Sequence, residues 1–205
     1  MSLLWLLLPL AFCLLRFVTN QYIFSALITL ACGAVVAIAG PGGSAWLVIL
    51  ALGVSALGDW FMAHQTLGPN FFLYGVAGFA VAHALFIAFA ARRFAFSLPA
   101  LLLALALGAG FAFYLNARIF PHVDAPMRLA LGGYALISLL GLFFALCRRV
   151  PNPQRALYAV GIVCILFSDT MIAESQFAGQ KWAYPLILPT YYLCHLLVAA
   201  SQLWR

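Results

Sequence analysis

The sequence predicts an all-α fold, a polytopic transmembrane helical bundle of about eight spans. Three observations predict it. Apolar residue types make up 67% of the 205 residues and charged types 7%, whereas a soluble domain carries roughly 25% charged residues. A lipid-facing surface removes the conflict, because a small soluble globule cannot hide that much apolar area. The apolar residues also come in long unbroken runs such as Leu98–Phe113, not in the alternation of a membrane β-barrel. Finally, the runs are separated by short breaks of turn-forming or polar residues, which joins neighbouring helices as antiparallel partners.

Each span needs about 20 apolar residues. The first run, 2–18, ends at Thr19-Asn20-Gln21. It lacks the basic start of a signal peptide, and Phe12 before Cys13 spoils a lipoprotein cleavage site, so a retained span is expected. The second, 22–39, stops at Gly40-Pro41-Gly42-Gly43, and the third, 44–63, stops before Gly68-Pro69-Asn70. The fourth, 70–91, meets Arg92-Arg93, and the fifth, 97–115, precedes Pro121-His122-Val123-Asp124. The sixth, 127–147, is closed by Arg148-Arg149 and Pro151-Asn152-Pro153. The seventh, 155–175, ends before Gly179-Gln180-Lys181, and the eighth is 183–204. No soluble domain fits between them, so residues 1–205 form one transmembrane domain.

The net charge of +6 sits mainly between apolar runs, which is how topology is written; no nucleic acid partner is expected. Arg92, Arg93, Arg148, Arg149, Arg155 and Arg205 share the side of the termini, against Arg16, Arg118, Arg128 and Lys181. That bias predicts cytoplasmic termini in a multi-pass bacterial inner-membrane protein. The five cysteines, Cys13, Cys32, Cys147, Cys164 and Cys194, have no metal spacing and read as packing residues.

The chain also reads as a duplication. Gly58-Asp59-Trp60-Phe61-Met62-Ala63 resembles Ser168-Asp169-Thr170-Met171-Ile172-Ala173, and Pro41 and Pro151 keep the same separation. His83 and His195 follow in the next span of each half. Four spans per half is an even number, so a 4+4 parallel repeat is expected.

Of four acidic residues, Asp59 and Asp169 are set well within helices. An intramembrane carboxylate costs at least about 2.5–3.5 kcal/mol and marks function by default. The two stand at similar depth on one membrane side, with Ser55, Gly58 and Ser168 leaving room for substrate. Each precedes a histidine-bearing span, so Asp59 is expected to meet His83, and Asp169 to meet His195. Tyr192 lies one turn before His195 and is expected in the cavity. Tyr74 reads as an interfacial residue or a substrate contact, and Trp60 as an anchor or a cavity wall. Arg118 and Arg128 are topology signals that could also hold a lipid phosphate. Glu174 and Lys181 are expected in the headgroup region. Two Asp and two His could hold a divalent ion, but no spacing demands it, so neither metal nor other cofactor is expected.

These residues resemble a known family. Gly58-Asp59 late in the third span, Phe79-Ala80-Val81-Ala82-His83 in the fourth, Ser168-Asp169 late in the seventh and Tyr191-Tyr192 in the eighth are similar to the YhhN-type lysoplasmalogenase family. The resemblance implies a lysophospholipid substrate within membrane lipids. It implies hydrolysis of the vinyl ether bond of lysoplasmalogens to a fatty aldehyde and glycerophospho-ethanolamine or -choline. That reaction needs an acid to protonate the alkene carbon and a carboxylate to stabilise the oxocarbenium ion and activate water. An Asp59/Asp169 pair sharing a proton would supply both, with His83 and His195 orienting it. Ser55, Tyr74, Ser168, Tyr192, Trp60 and Arg128 are the expected substrate contacts. The alternatives are a small proton-coupled transporter using the same acids and a scaffold protein with no site. Against transport stands the lack of a Gly/Pro-interrupted helix pair at midplane.

Overall fold

The structure, a computed structural model, describes residues 3–39, 43–68 and 70–204. Pro41, Pro69 and Arg205, used above as break, repeat or topology signals, lie outside the described residues. Among the described residues eight α-helices follow the eight apolar runs: α1 Leu7–Thr19, α2 Ile23–Ile38, α3 Ala45–Ala63, α4 Phe71–Ala91, α5 Leu98–Tyr114, α6 Ala125–Leu146, α7 Asn152–Gln176 and α8 Tyr184–Leu203. A 3₁₀ turn, Leu3–Leu6, precedes α1.

Local chemistry sets the ends. Asn20 takes the left-handed conformation (φ 54°) that closes α1. Ser97 and Asp124 cap α5 and α6 by accepting from the backbone N–H groups of Ala100 and Met127. Proline in the first turn starts α5, α6, α7 and α8, where its missing N–H costs nothing. Pro189 lies inside α8, which continues through it.

Six helices, α3 to α8, are long and apolar enough to cross a bilayer, α5 when counted with the turns that continue it to His122. The other two are shorter, Leu3–Thr19 (with its 3₁₀ turn) and Ile23–Ile38. The large apolar side chains left outside the core, Leu102, Leu105, Leu129 and Phe113 among them, form the surface that lipid solvates. Helix α5 buries only Ala100.

The packing pattern of the first four helices recurs in the last four. Helices α3 and α4 pair closely, as do α7 and α8. Helix α2 packs on α3 and on α8, while α6 packs on α7 and on α4. Helices α1 and α5 lie outside, against α2 and α6. Because lipid is as apolar as leucine, close backbone approach has to drive this pairing. Small residues allow it. A Cβ on Gly78 would stand 3.3 Å from the Gly58 Cα, and one on Gly161 would stand 3.3 Å from the Cys194 carbonyl.

Beside the site the fit is tighter still, since a Cβ on Gly58 would meet Phe79 at 2.7 Å and one on Gly75 would meet Met62 at 2.7 Å. Gly58→Val is therefore expected to cost about 1–3 kcal/mol by overpacking. A lowered Tm in detergent would register this, and an unchanged Tm would show that α3 and α4 are not held at this crossing.

On the side of the termini the loops before α5 and α7 pair at Phe94 and Arg148. Arg148, counted above as a topology signal, is 2% exposed and lies over the rings of Phe89 and Tyr158 (4.2 and 4.7 Å to their centroids). It is a packed cation–π element as well as a positive charge.

Candidate active site

Near the ends of α1, α3 and α7 and the start of α8 lies a hollow of about 200 Å³. Its polar lining is Arg16, Tyr22, Ser25, Asp59, Gln65, Ser168, Gln176, Tyr184 and Tyr191, and its apolar wall includes Met62, Phe79, Ile172 and Leu188. Asp59 is the one acid in this lining. The Tyr191 and Thr29 side chains approach its carboxyl as hydrogen-bond partners, while Oδ2 is buried without a partner among the described residues. Thr29 Oγ1 also lies 3.1 Å from His195 Nδ1, and the Tyr191 ring packs against the His195 ring with centroids 4.3 Å apart. His195 Nε2, Ser55 Oγ and Tyr22 OH are likewise buried and unpartnered. Unsatisfied polar atoms of this kind cost free energy unless water or substrate completes them.

Asp169 lies in an adjoining recess of about 40 Å³. Its Oδ2 stands 3.0 Å from His83 Nε2 and accepts a 2.9 Å hydrogen bond from Tyr134 OH. Met62, Phe79 and Ile172 line both spaces and form the wall between them.

This arrangement corrects two expectations. Asp59 does not meet His83; His83 pairs with Asp169, and His195 stands on the Asp59 side, reached through Thr29. Each aspartate thus lies toward the histidine of the opposite half. Adjacent helices share an interface, but side-chain direction around each helix decides which neighbour is met. The two carboxyls also occupy adjoining recesses instead of one, and among the described residues no hydrogen bond joins them.

The remaining expected contacts divide. Ser168 lines the hollow and donates to the Ile187 carbonyl at 3.0 Å. Ser55 is fully buried, and its carbonyl faces Tyr191 OH at 3.5 Å. Tyr192 bonds Ser25 Oγ at 2.5 Å behind the lining, which Tyr191 occupies instead. Tyr74, Trp60 and Arg128 do not reach the hollow. Tyr74 and Trp60 are 48% and 41% exposed within an aromatic cluster with Phe61, Phe71 and His64, the interfacial alternative for both. Arg128 is exposed and donates to the Val123 carbonyl. Glu174, expected among headgroups, is 1% exposed and accepts from Tyr114 OH (2.5 Å) and Arg118 Nε (3.4 Å). The π turn Leu115–Ile119 carries Arg118 over it.

Thr29, Ser25 and Tyr134 were not picked out from the sequence. Their signal was present: Ser25 and Thr29 are one turn apart in an otherwise apolar α2, and Tyr134 is alone in its stretch of α6.

A larger cavity, about 630 Å³ between α5 and α6, has Asn116 as its one polar lining residue and offers no acid or base. Among the described residues no three His, Cys, Asp or Glu side chains gather as a metal site.

The YhhN family profile matches residues 20–202. This chain belongs to the YhhN family. Lysoplasmalogenase TMEM86B of Rattus norvegicus is 34% identical over 169 residues, 80% of this chain and 64% of its own. The Mus musculus protein of that name is 33% identical over 82% of this chain and 68% of its own. The Homo sapiens one is 32% identical over 79% and 66%. This YhhN chain thus spans less than two thirds of the rat relative's length. No solved structure matches it significantly. Asp59, Asp169, His83 and His195 all fall inside the segment the YhhN profile covers, and Arg16 precedes it. Family membership and six long apolar helices make the chain an integral multi-pass membrane protein.

Proposed function

We propose that this chain is an intramembrane hydrolase that cleaves the vinyl ether bond of lysoplasmalogens, releasing a fatty aldehyde and a glycerophospho-ethanolamine or -choline. The observation that carries the reading is the Asp59 carboxyl. It faces a polar hollow with Oδ2 unpartnered, in a chain about a third identical to proteins named lysoplasmalogenase.

In this reading Asp59 is the general acid. Its carboxyl lines the hollow, and Oδ2 has no partner among the described residues, so that oxygen is open to substrate. It gives its proton to the alkene carbon, and the ether carbon becomes an oxocarbenium ion. The Asp59 carboxylate so formed takes a proton from a water that adds to that carbon, which restores the acid. The hemiacetal then collapses to aldehyde and alcohol. Asp169 serves in this reading as the carboxylate, with Tyr134 OH donating to Oδ2 and His83 Nε2 3.0 Å from it. Its negative charge stabilises the cation across the shared wall, an effect that low polarity strengthens. Thr29 and His195 orient Asp59, as His83 and Tyr134 hold Asp169.

The direct test is mass-spectrometric detection of long-chain aldehyde after purified protein meets a lysoplasmalogen. Solute flux into liposomes with no lipid turnover would instead favour transport. Because the proposed acid and base are both Asp59, activity is expected to survive EDTA. Complete inhibition that added metal reverses would move the water-activating role to a metal ion. With both termini cytoplasmic, the hollow faces the outer side of a bacterial inner membrane.

A further inference from the structure

We propose that Arg16 is the phosphate-recognition residue of the Asp59 hollow, the group that selects a lysophospholipid over an uncharged lipid of the same chain. This rests on the hydrolase reading only for which bond is then cleaved.

Arg16 is the one cation in the lining of the hollow. Its guanidinium is held in place. Nε donates to Ser25 Oγ at 3.0 Å, and Nη1 donates to Asn20 Oδ1 at 2.6 Å. Ser25 Oγ is braced in turn by Tyr192 OH at 2.5 Å. Tyr192 OH also approaches the guanidinium as a hydrogen-bond partner. The ion pairs among the described residues are His83–Asp169 and Arg118–Glu174, so Arg16 belongs to neither. A guanidinium that is fixed by neutral partners and not neutralised by a carboxylate is prepared for an anion from outside the protein.

The neighbours narrow the class of that anion. Tyr22 OH, in the same lining, is buried and unpartnered, a second donor beside the cation. Gln65 and Gln176 add amides. A phosphodiester matches this set, because it offers several oxygens to a planar fork and to hydroxyl donors. Position fits as well. Arg16 is in the last turn of α1, and Asp59 is one turn from the end of α3, on the same side of the bundle. In a lysoplasmalogen only the glycerol backbone separates the phosphate from the vinyl ether. Phosphate on Arg16 therefore leaves the alkene within the hollow that Asp59 also lines.

The test compares kcat/KM for a 1-alkenyl-glycerophosphoethanolamine with that for a 1-alkenylglycerol of the same chain. In Arg16→Gln the ratio of the two is expected to fall about 10- to 100-fold, through KM, the size of a charge-assisted hydrogen bond. An unchanged ratio overturns the proposal. Should Arg16→Gln fail to insert, Arg16→Lys keeps the cation without the fork. It is expected to lower the same ratio several-fold, and an unchanged ratio there is equally fatal. If the wild-type protein cleaves neither lipid, the hydrolase reading fails alone. Binding of lysophosphatidylethanolamine against monoacylglycerol, read by native mass spectrometry, then decides the subsite. Loss of the phospholipid preference in the Arg16 variant supports it, and retention overturns it.

Discussion

Asp59→Asn is expected to abolish aldehyde release, lowering kcat by about 10²- to 10⁴-fold, the range a positioned acid–base group contributes. The amide fills the same volume and keeps its hydrogen-bonding capacity toward Tyr191 and Thr29. Insertion and Tm are therefore expected to stay at wild-type values. What the amide lacks is a proton it can surrender to carbon. Asp59→Leu sharpens the distinction. It removes a buried oxygen with no partner, and the two hydroxyls left behind have other acceptors, Ser55 O for Tyr191 and Ser25 O for Thr29. The leucine variant is expected to be inactive yet at least as stable as wild type, the opposition of activity and stability that functional sites show. Aldehyde release from Asp59→Asn at the wild-type rate would remove the acid from the mechanism.

The helices could be read from the sequence because hydropathy acts along the chain. Each predicted run matches its helix within a few residues, apart from the first, where Leu3–Leu6 is a 3₁₀ turn. The places of Asp59, His83, Asp169 and His195 along their helices could be read for the same reason. Their partners could not. Whether Asp169 faces α8 or α4 depends on rotation about the α7 axis, and apolar residues on every side of these spans leave no stripe to report it. Glu174 was misplaced for a related reason. Two residues from a helix end it looks solvated, but the π turn that brings Arg118 over it is a tertiary event. Trp60 and Tyr74 carried too little information, since aromatic residues near span ends serve interface and cavity alike.

Asp169→Asn and Asp169→Leu are expected to fail in a different way from the Asp59 variants. Asp169 is engaged: His83 Nε2 and Tyr134 OH converge on one oxygen. Asparagine can still accept from Tyr134, so it is expected to fold, but it carries no charge to favour the oxocarbenium ion. A loss of about 10²- to 10³-fold in kcat with little change in KM is the expected result, the scale of one removed electrostatic contact in a shielded site. Leucine leaves His83 and Tyr134 facing each other with no acceptor between them. Stranding such buried groups costs about 1–3 kcal/mol, so Asp169→Leu is expected to lose both activity and Tm. Opposite effects on Tm for leucine at the two positions would mark one acid kept unsatisfied for chemistry and one held by its neighbours. If leucine at both positions were neutral or stabilising and aldehyde release persisted, the acids would be incidental to function. If instead Asp169→Leu alone kept full activity, the negative charge beyond the Phe79 wall would have no part in the reaction, and Asp59 would have to act by itself.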